Sequence, residues 1–387
     1  MTTWVTGSPE MKSRFVLDPT VTYLNHGSFG ACPREVLDAQ SRHRAAMEAE
    51  PVDYLVRQLP GLFQTARARL SRFLHADPAG LLFVPNATTA VATVLASFDW
   101  REGDEIVFAD HGYNAVRVAI HLLERRYGVR LRRAELPFPL ERPEQLADAY
   151  LQVLGPRTRL LLLDHLTSPT ALVLPAADIV AEARRRGIPT LVDGAHAPGS
   201  LPLDLDAMGA DFYTGNLHKW LFTPKGCAFL QVAAPWRDLL RPLVASHGYF
   251  GDLHEAFDWT GTCDPTPWTC LPETLDAFEA LGPDEVRRSN HHLVREGRER
   301  IARALGVTLP HPDDPALYGP MAAIPFPSGG EASPERLAAL NRHLYETHRI
   351  EVPFTAYDAR IWLRISGQVY NHPADFERLA RALARQA

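Results

Sequence analysis

The feature that most constrains this chain is the regular exchange, from about Leu81 to Val232, of short aliphatic runs with amphipathic stretches. The aliphatic runs predict strands at Leu81–Val84, Glu105–Ala109, Val129–Arg133, Arg159–Asp164, Thr190–Asp193, Asp211–Thr214 and Cys227–Val232. Between them, 3.6-residue periodicity predicts helices at Thr88–Ser97, Asn114–Arg126, Glu144–Val153 and Ala176–Arg186. Strands that are apolar throughout and separated by helices specify a mostly parallel seven-stranded sheet covered on both faces. Two helices precede this region, one opened by Pro33 and one spanning Leu62–Leu74. After about Leu271 long charged helices (Asp284–Leu305, Pro334–Tyr345, Pro373–Arg385) surround strands at Met321–Ile324, Ile350–Val352 and Trp362–Ile365. The 387 residues therefore divide into a large α/β domain, 23–272, and a smaller α+β domain, 273–387, with segment 1–22 packed nearby. The stretch Gly248 to Pro272, rich in Gly, Pro, Thr and Trp, has no periodicity and reads as a long functional loop.

Bulk properties narrow the function. A formal charge of -6 and a pI near 6.2 argue against a nucleic-acid partner. The basic clusters Arg130-Leu131-Arg132-Arg133 and Arg184-Arg185-Arg186 read as solvated faces. Cys32, Cys227, Cys263 and Cys270 are scattered without C-x-x-C pairing, against a disulfide framework or a structural zinc site. The opening Met1-Thr2-Thr3-Trp4 lacks the order of a signal peptide, and the aliphatic run Leu160–Leu163 is too short to cross a bilayer. The expectation is a soluble, cytoplasmic protein with neither a membrane nor a nucleic-acid partner.

In open α/β sheets ligands sit beyond the carboxyl ends of the strands, so the residues there carry the argument. After the first strand, Asn86-Ala87-Thr88-Thr89 opens a helix, a phosphate cradle or an ordinary N-cap. After the second, Tyr113 either stacks on a planar ligand or packs at a domain seam. The hydroxyls of Thr167, Ser168 and Thr170 follow the fourth strand and serve a turn or a ligand. Asp193 closes a buried aliphatic strand, which is costly without a partner. A pyridinium nitrogen is one such partner; a metal shared with His196 is another, but no further Asp, His or Cys set supports it.

Lys219 lies in Leu217-His218-Lys219-Trp220-Leu221-Phe222, where apolar neighbours predict partial burial, a lowered pKa and a nucleophilic amine. The alternative is a lysine that snorkels from an amphipathic turn. The step of 26 positions from Asp193 to Lys219 lets both reach one cleft. Arg364, inside Ile361-Trp362-Leu363-Arg364-Ile365, requires a carboxylate, supplied by a ligand or by an internal salt bridge.

The ordered set, from Tyr23-Leu24-Asn25-His26-Gly27-Ser28-Phe29-Gly30 to Arg364 and Tyr370-Asn371, resembles the class V aminotransferases of the fold-type I pyridoxal-phosphate (PLP) enzymes. The Asn25–Gly30 opening and Trp259-Thr260-Gly261-Thr262-Cys263-Asp264-Pro265 look most like its isopenicillin N epimerase-like branch, which includes carbon–sulfur lyases. The resemblance implies PLP held as a Schiff base on Lys219, with Asp193 at the ring nitrogen and Tyr113 stacked on the ring. It places His196 near the phenolic oxygen, with Thr167 or Ser168 as companions. Thr88, Thr89, Thr214 and His218 would hold the phosphate, with Thr262 from a second subunit of a homodimer that shares its active sites. Arg364 would bind the carboxylate of an amino-acid substrate, with Asn25 and His26 also on the substrate side.

The segment Ile350–Ala356 lacks the nucleophilic cysteine of the desulfurases in this class, which disfavours persulfide chemistry. Cys263 stands where a longer polar residue is expected. The implied reaction is removal of the Cα proton by Lys219, followed by epimerisation, β-elimination or transamination. His26 and Tyr113 are the candidates for an acid on the opposite face. A nicotinamide dehydrogenase is disfavoured by the absence of Gly-x-Gly-x-x-Gly after every predicted strand. A non-catalytic scaffold is disfavoured by the joint retention of Lys219, Asp193 and Arg364.

Overall fold

The computed structural model describes residues 4–327 and 332–384. Its centre is a seven-stranded sheet of β2 (Leu81–Val84), β3 (Glu105–Ala109), β4 (Arg130–Ala134), β5 (Thr158–Asp164), β6 (Thr190–Asp193), β7 (Phe212–Asn216) and β8 (Ala228–Val232), preceded in the chain by the short β1 (Thr22–Tyr23). The spatial order is β2-β8-β7-β6-β5-β3-β4, and only β8 runs antiparallel to its neighbours. Alternate side chains feed two cores. Leu81, Phe83, Val107, Leu161, Leu163 and Val192 face one side, whereas Leu82, Val84, Ile106, Phe108, Leu160, Leu162 and Leu191 face the other. Burial of both faces is why these strands lack a polar alternation. The edge strand β4 is the exception: Arg130, Arg132 and Arg133 are exposed on it, charges that discourage further strand pairing.

A second sheet is antiparallel, in the order β11 (Phe354–Tyr357), β12 (Arg360–Ser366), β9 (Met321–Pro325). The helices Pro283–Leu305 and Pro373–Leu383 pack against each other beside it; the expected helix end at Arg385 lies outside the described residues. Strand β10 (Ile350–Glu351) leaves this sheet and pairs in parallel with β1, which ties the N-terminal segment to the C-terminal layer. Most predicted elements recur within one to three residues. Gly248–Pro272, however, is not a loop: helices span Leu253–Asp258 and Thr266–Thr269, and another begins at Leu271. Asp252 and Glu255 form a reciprocal capping box, enough to nucleate a turn too short to reveal a period.

Candidate active site

The carboxyl ends of β2, β3, β5, β6 and β7 converge on a cavity of about 290 Å³, closed from above by β12. Its wall includes Thr88, Tyr113, Ser168, Asp193, His196, His218, Lys219 and Arg364. Thr88 and Arg364, 276 positions apart in sequence, are thereby brought to one space, which only the fold could do.

Strand β6 delivers Asp193, buried, with Oδ1 accepting a hydrogen bond from Ala195 N at 3.0 Å. Burial pushes its carboxyl upward, and the nearby Lys219 only partly offsets this. Glycine at 194 lets the backbone pass close to Tyr213: a Cβ at that position would meet the Tyr213 hydroxyl at 2.2 Å. The register partner of Asp193 on β5 is Asp164, also buried and on the cavity wall. Desolvation and the charge of Asp193 raise the Asp164 carboxyl well above the usual range.

Strand β7 ends at Asn216 and passes into the short helix Leu217–Trp220, which carries Lys219. Lys219 is mostly buried, and desolvation, reinforced by Arg364 and opposed by Asp193, brings its amine down to about 7. Near neutrality a large share of it is the uncharged nucleophile. Its Nζ lies 3.1 Å from His196 Nε2. His218 Nδ1 bonds the Cys227 carbonyl at 2.8 Å, and burial lowers this imidazole to about 4.

Arg364 enters from the middle strand of the other sheet. It is 4% exposed, and its Nη1 donates to the Ser168 carbonyl (2.7 Å) and hydroxyl (3.1 Å) while Nη2 donates to Ser28 Oγ (2.6 Å). None of these acceptors is charged, and Nε has no hydrogen-bond partner. The internal salt bridge that sequence allowed is not formed among the described residues. Burial accordingly lowers the guanidinium to about 10.

Several expected residues stand elsewhere. Thr214 is in the core, its hydroxyl donating to the Phe229 carbonyl at 2.7 Å. Thr89 belongs to the N-cap, with N and Oγ1 both donating to Asn86 Oδ1. Thr167 is used in a turn: its Oγ1 accepts from Leu172 N at 2.8 Å and bonds Thr170 Oγ1. Both nitrogens of His26 are engaged, Nδ1 with the Tyr370 hydroxyl and Nε2 with the Lys219 carbonyl, each at 2.9 Å. Burial lowers that ring to about 3, so it supports the lysine backbone and offers no acid to the cavity. Asn25 is buried beside Glu351, also off the wall. Thr262 is exposed, and Cys263 lines a separate apolar cleft with Trp259 and Trp268. Sequence reasoning overlooked Asp164, Asn216, Ser28 and Leu166 on the wall. Asn216 was discoverable, three residues before the lysine at a strand end; Ser28 was not, because only folding brings it to Arg364.

The family profile described as aminotransferase class-V matches residues 22–379. The chain belongs to the class-V aminotransferase family. The enzyme is 38% identical over 390 residues to isopenicillin N epimerase of Streptomyces clavuligerus, with 97% of each chain covered. It is 40% identical to isopenicillin N epimerase of Amycolatopsis lactamdurans, with 95% of each covered, and 30% identical to an L-cysteine desulfhydrase of Arabidopsis thaliana over 94% of this chain and 87% of that one. Among solved structures, the cystine C-S lyase C-DES in complex with cysteine persulfide superposes with a TM-score of 0.78 at 25% identity, covering 95% of this chain and 98% of that one. The enzyme is therefore a PLP-dependent member of the fold-type I group, with the α/β architecture expected from its sequence.

The cavity suits that cofactor on its own evidence. It offers an amine brought down to about 7 for an aldehyde, a buried acidic group beside it for a ring nitrogen, and an orphaned guanidinium nitrogen for an anionic substrate. Among the described residues no group of three or more His, Cys, Asp or Glu side chains is arranged to hold a metal ion.

Proposed function

We propose that the enzyme epimerises an amino acid, or an amino-acid residue within a larger molecule, at its α-carbon. The observation that carries this reading is Arg364, a buried guanidinium with only neutral partners, facing the buried amine of Lys219 across one cavity. A ligand carboxylate completes that pairing and sets Cα near the amine. The isopenicillin N epimerases, with nearly full coverage, support the epimerase assignment.

Lys219 would hold the cofactor aldehyde, Asp193 its ring nitrogen and Tyr113 its ring face. Thr88, at the N-terminus of helix Ala87–Ser97, with His218 and Asn216 would receive its phosphate. When bound, PLP supplies an electron sink conjugated to the substrate Cα. Arg364 orients the carboxylate through its free Nε and the two terminal nitrogens. Lys219 would also be placed to take the Cα proton, a task suited to an amine that burial brings down to about 7. His196 steadies Lys219 between these states. Tyr113, half-exposed on the cavity wall, would return a proton from the other face, since His26 is engaged elsewhere.

The second reading is a carbon–sulfur lyase, favoured by the desulfhydrase relatives and the C-S lyase neighbour. It shares every step through loss of the Cα proton. A desulfurase is disfavoured because none of Cys32, Cys227, Cys263 and Cys270 lines the cavity. We also propose a homodimer: Phe250 is 95% exposed, Leu243 and Val244 lie exposed nearby along the chain, and exposed Val56 borders a cleft with His247 and Gly248, an apolar surface suited to a partner that brings its own Thr262 toward the phosphate.

Incubation with isopenicillin N or L-cysteine in deuterated water tests the assignment. Inversion with deuterium at Cα of isopenicillin N is expected; sulfide release from L-cysteine without inversion would select the lyase, and no exchange with either would count against both. Light scattering of the purified enzyme tests the dimer.

A further inference from the structure

Trp220 is fully buried and directly follows Lys219 at the end of the short helix Leu217–Trp220. Its Nε1 lies 3.4 Å from His196 Nδ1, and His196 Nε2 in turn lies 3.1 Å from Lys219 Nζ. Indole N–H is a donor and never an acceptor. His196 Nδ1 must therefore be the unprotonated nitrogen, and in the neutral ring the proton belongs to Nε2, on the side of Lys219. An N–H pointed at Nζ needs a lone pair there, which only the uncharged amine has.

We propose that Trp220 is a positioning residue that, through His196, dictates which imidazole nitrogen carries the proton and thereby holds the Lys219 amine uncharged. The inference rests on the reading of Lys219 as the cofactor-bearing base. It explains why a tryptophan follows the lysine: a phenylalanine would fill the space without the donor. The frame around the relay is stiff. His26 packs against the Trp220 ring at 4.8 Å and bonds the Lys219 carbonyl, and Phe222 closes the turn at φ 68°, a conformation a bulky residue adopts only under constraint.

Asp193 from β6 and Asp164 from β5 stand on the cavity wall with Arg364 from β12, and Tyr113 and His218 complete it. Burial above all, with the charge of Arg364 acting in the same direction, holds His196 well below its ordinary value. The ring thus remains neutral, and its tautomer is the one variable left to Trp220.

The full-length enzyme, stripped of cofactor and resupplied with pyridoxal phosphate at a series of pH values, provides the test. The Lys219 nitrogen bonds to the aldehyde carbon and the aldehyde oxygen leaves as water; borohydride trapping followed by peptide mapping at Lys219 gives the rate. In the wild type the rate should rise with pH through a midpoint near 7. In Trp220→Phe the midpoint should move up by about one pH unit, equivalent to a tenfold slower attachment on the acid side. A folded Trp220→Phe enzyme with the wild-type midpoint would overturn the proposal. Should that variant not fold, ¹⁵N NMR of the wild-type His196 ring decides: a protonated Nε2 and bare Nδ1 are expected, and the reverse tautomer overturns it. Absence of any trapping at Lys219 in the wild type would instead sink the cofactor reading, and the tautomer would still decide the relay.

Discussion

Two buried arginines, Arg298 and Arg364, obey the same electrostatics and reach opposite ends. Arg298 is 1% exposed; its Nη2 bonds Asp313 at 2.6 Å and its guanidinium lies 3.9 Å above the Tyr318 ring. Arg364 is as deeply buried, yet its partners are a carbonyl and two hydroxyls. A buried cation without a counter-charge is unfavourable for the folded protein alone. The first arginine is therefore part of the scaffold, and the second holds a charge in reserve for something that arrives later. The difference lies in the missing partner, not in burial, and Asp193 repeats it with the sign reversed.

The largest effect that could break this comparison comes from Arg364→Gln. Loss of a buried, charge-assisted clamp should lower kcat/KM by about 2–5 kcal/mol, on the order of thirty- to several-thousand-fold. Thermal stability should hold or rise, because the variant removes an unpaired buried charge. A fall of several kcal/mol in a denaturant melt would mean that Arg364 is structural after all.

The converse is Arg298→Leu. It leaves Asp313 without one of its cations, but Arg295 remains at 2.6 Å and Asp313 is about a third exposed, so solvent screens the loss. Destabilisation of about 2–3 kcal/mol is expected, below the usual range for a broken buried pair. Turnover per folded molecule should be unchanged, measurable by active-site titration.

Asp193→Asn sharpens the comparison through pH. A carboxyl whose folded-state pKa is raised binds more protons folded than unfolded, so stability falls as pH rises from the unfolded value near 3.8 toward the raised one. Without cofactor, the wild type should lose stability across that window relative to Asp193→Asn. With cofactor the order should reverse, since the ring nitrogen is then opposed by a carboxylate in the wild type alone. Cofactor affinity should drop by about 1.5–3 kcal/mol in the variant, read by equilibrium titration. Parallel melts at every pH would show that Asp193 carries no such cost.

The sheet was legible because burial on both faces writes an uninterrupted apolar run into each strand, and strand ends then announce where polar residues gather. Asp193, Lys219 and Arg364 could be picked out for the same reason: each is a charge set among apolar neighbours. The hydroxyls were not legible. A threonine can serve a ligand, a cap, a turn or a neighbouring carbonyl, and the local sequence is the same in each case. Thr88 reaches the cavity wall while Thr89, one residue on, is turned into the cap by the 100° step of a helix. Ser28 and Arg364, 336 residues apart, share no local signal at all.

Thr214 gives the smallest effect and the most direct check on that distinction. It resembles a phosphate ligand by its place before Lys219, yet it is wholly buried and donates to the Phe229 carbonyl across β7 and β8. Thr214→Val keeps the shape and removes one neutral hydrogen bond. About 1 kcal/mol of stability should be lost, and cofactor affinity should change by less than about twofold. A phosphate ligand would behave otherwise: the stability of the cofactor-free protein would scarcely move, and affinity would fall by about tenfold or more, because a hydrogen bond to a charged group is worth about 1.5–3 kcal/mol. The ratio of the two losses, from melts and titrations on one variant, separates a hydroxyl that serves the sheet from one that serves the site.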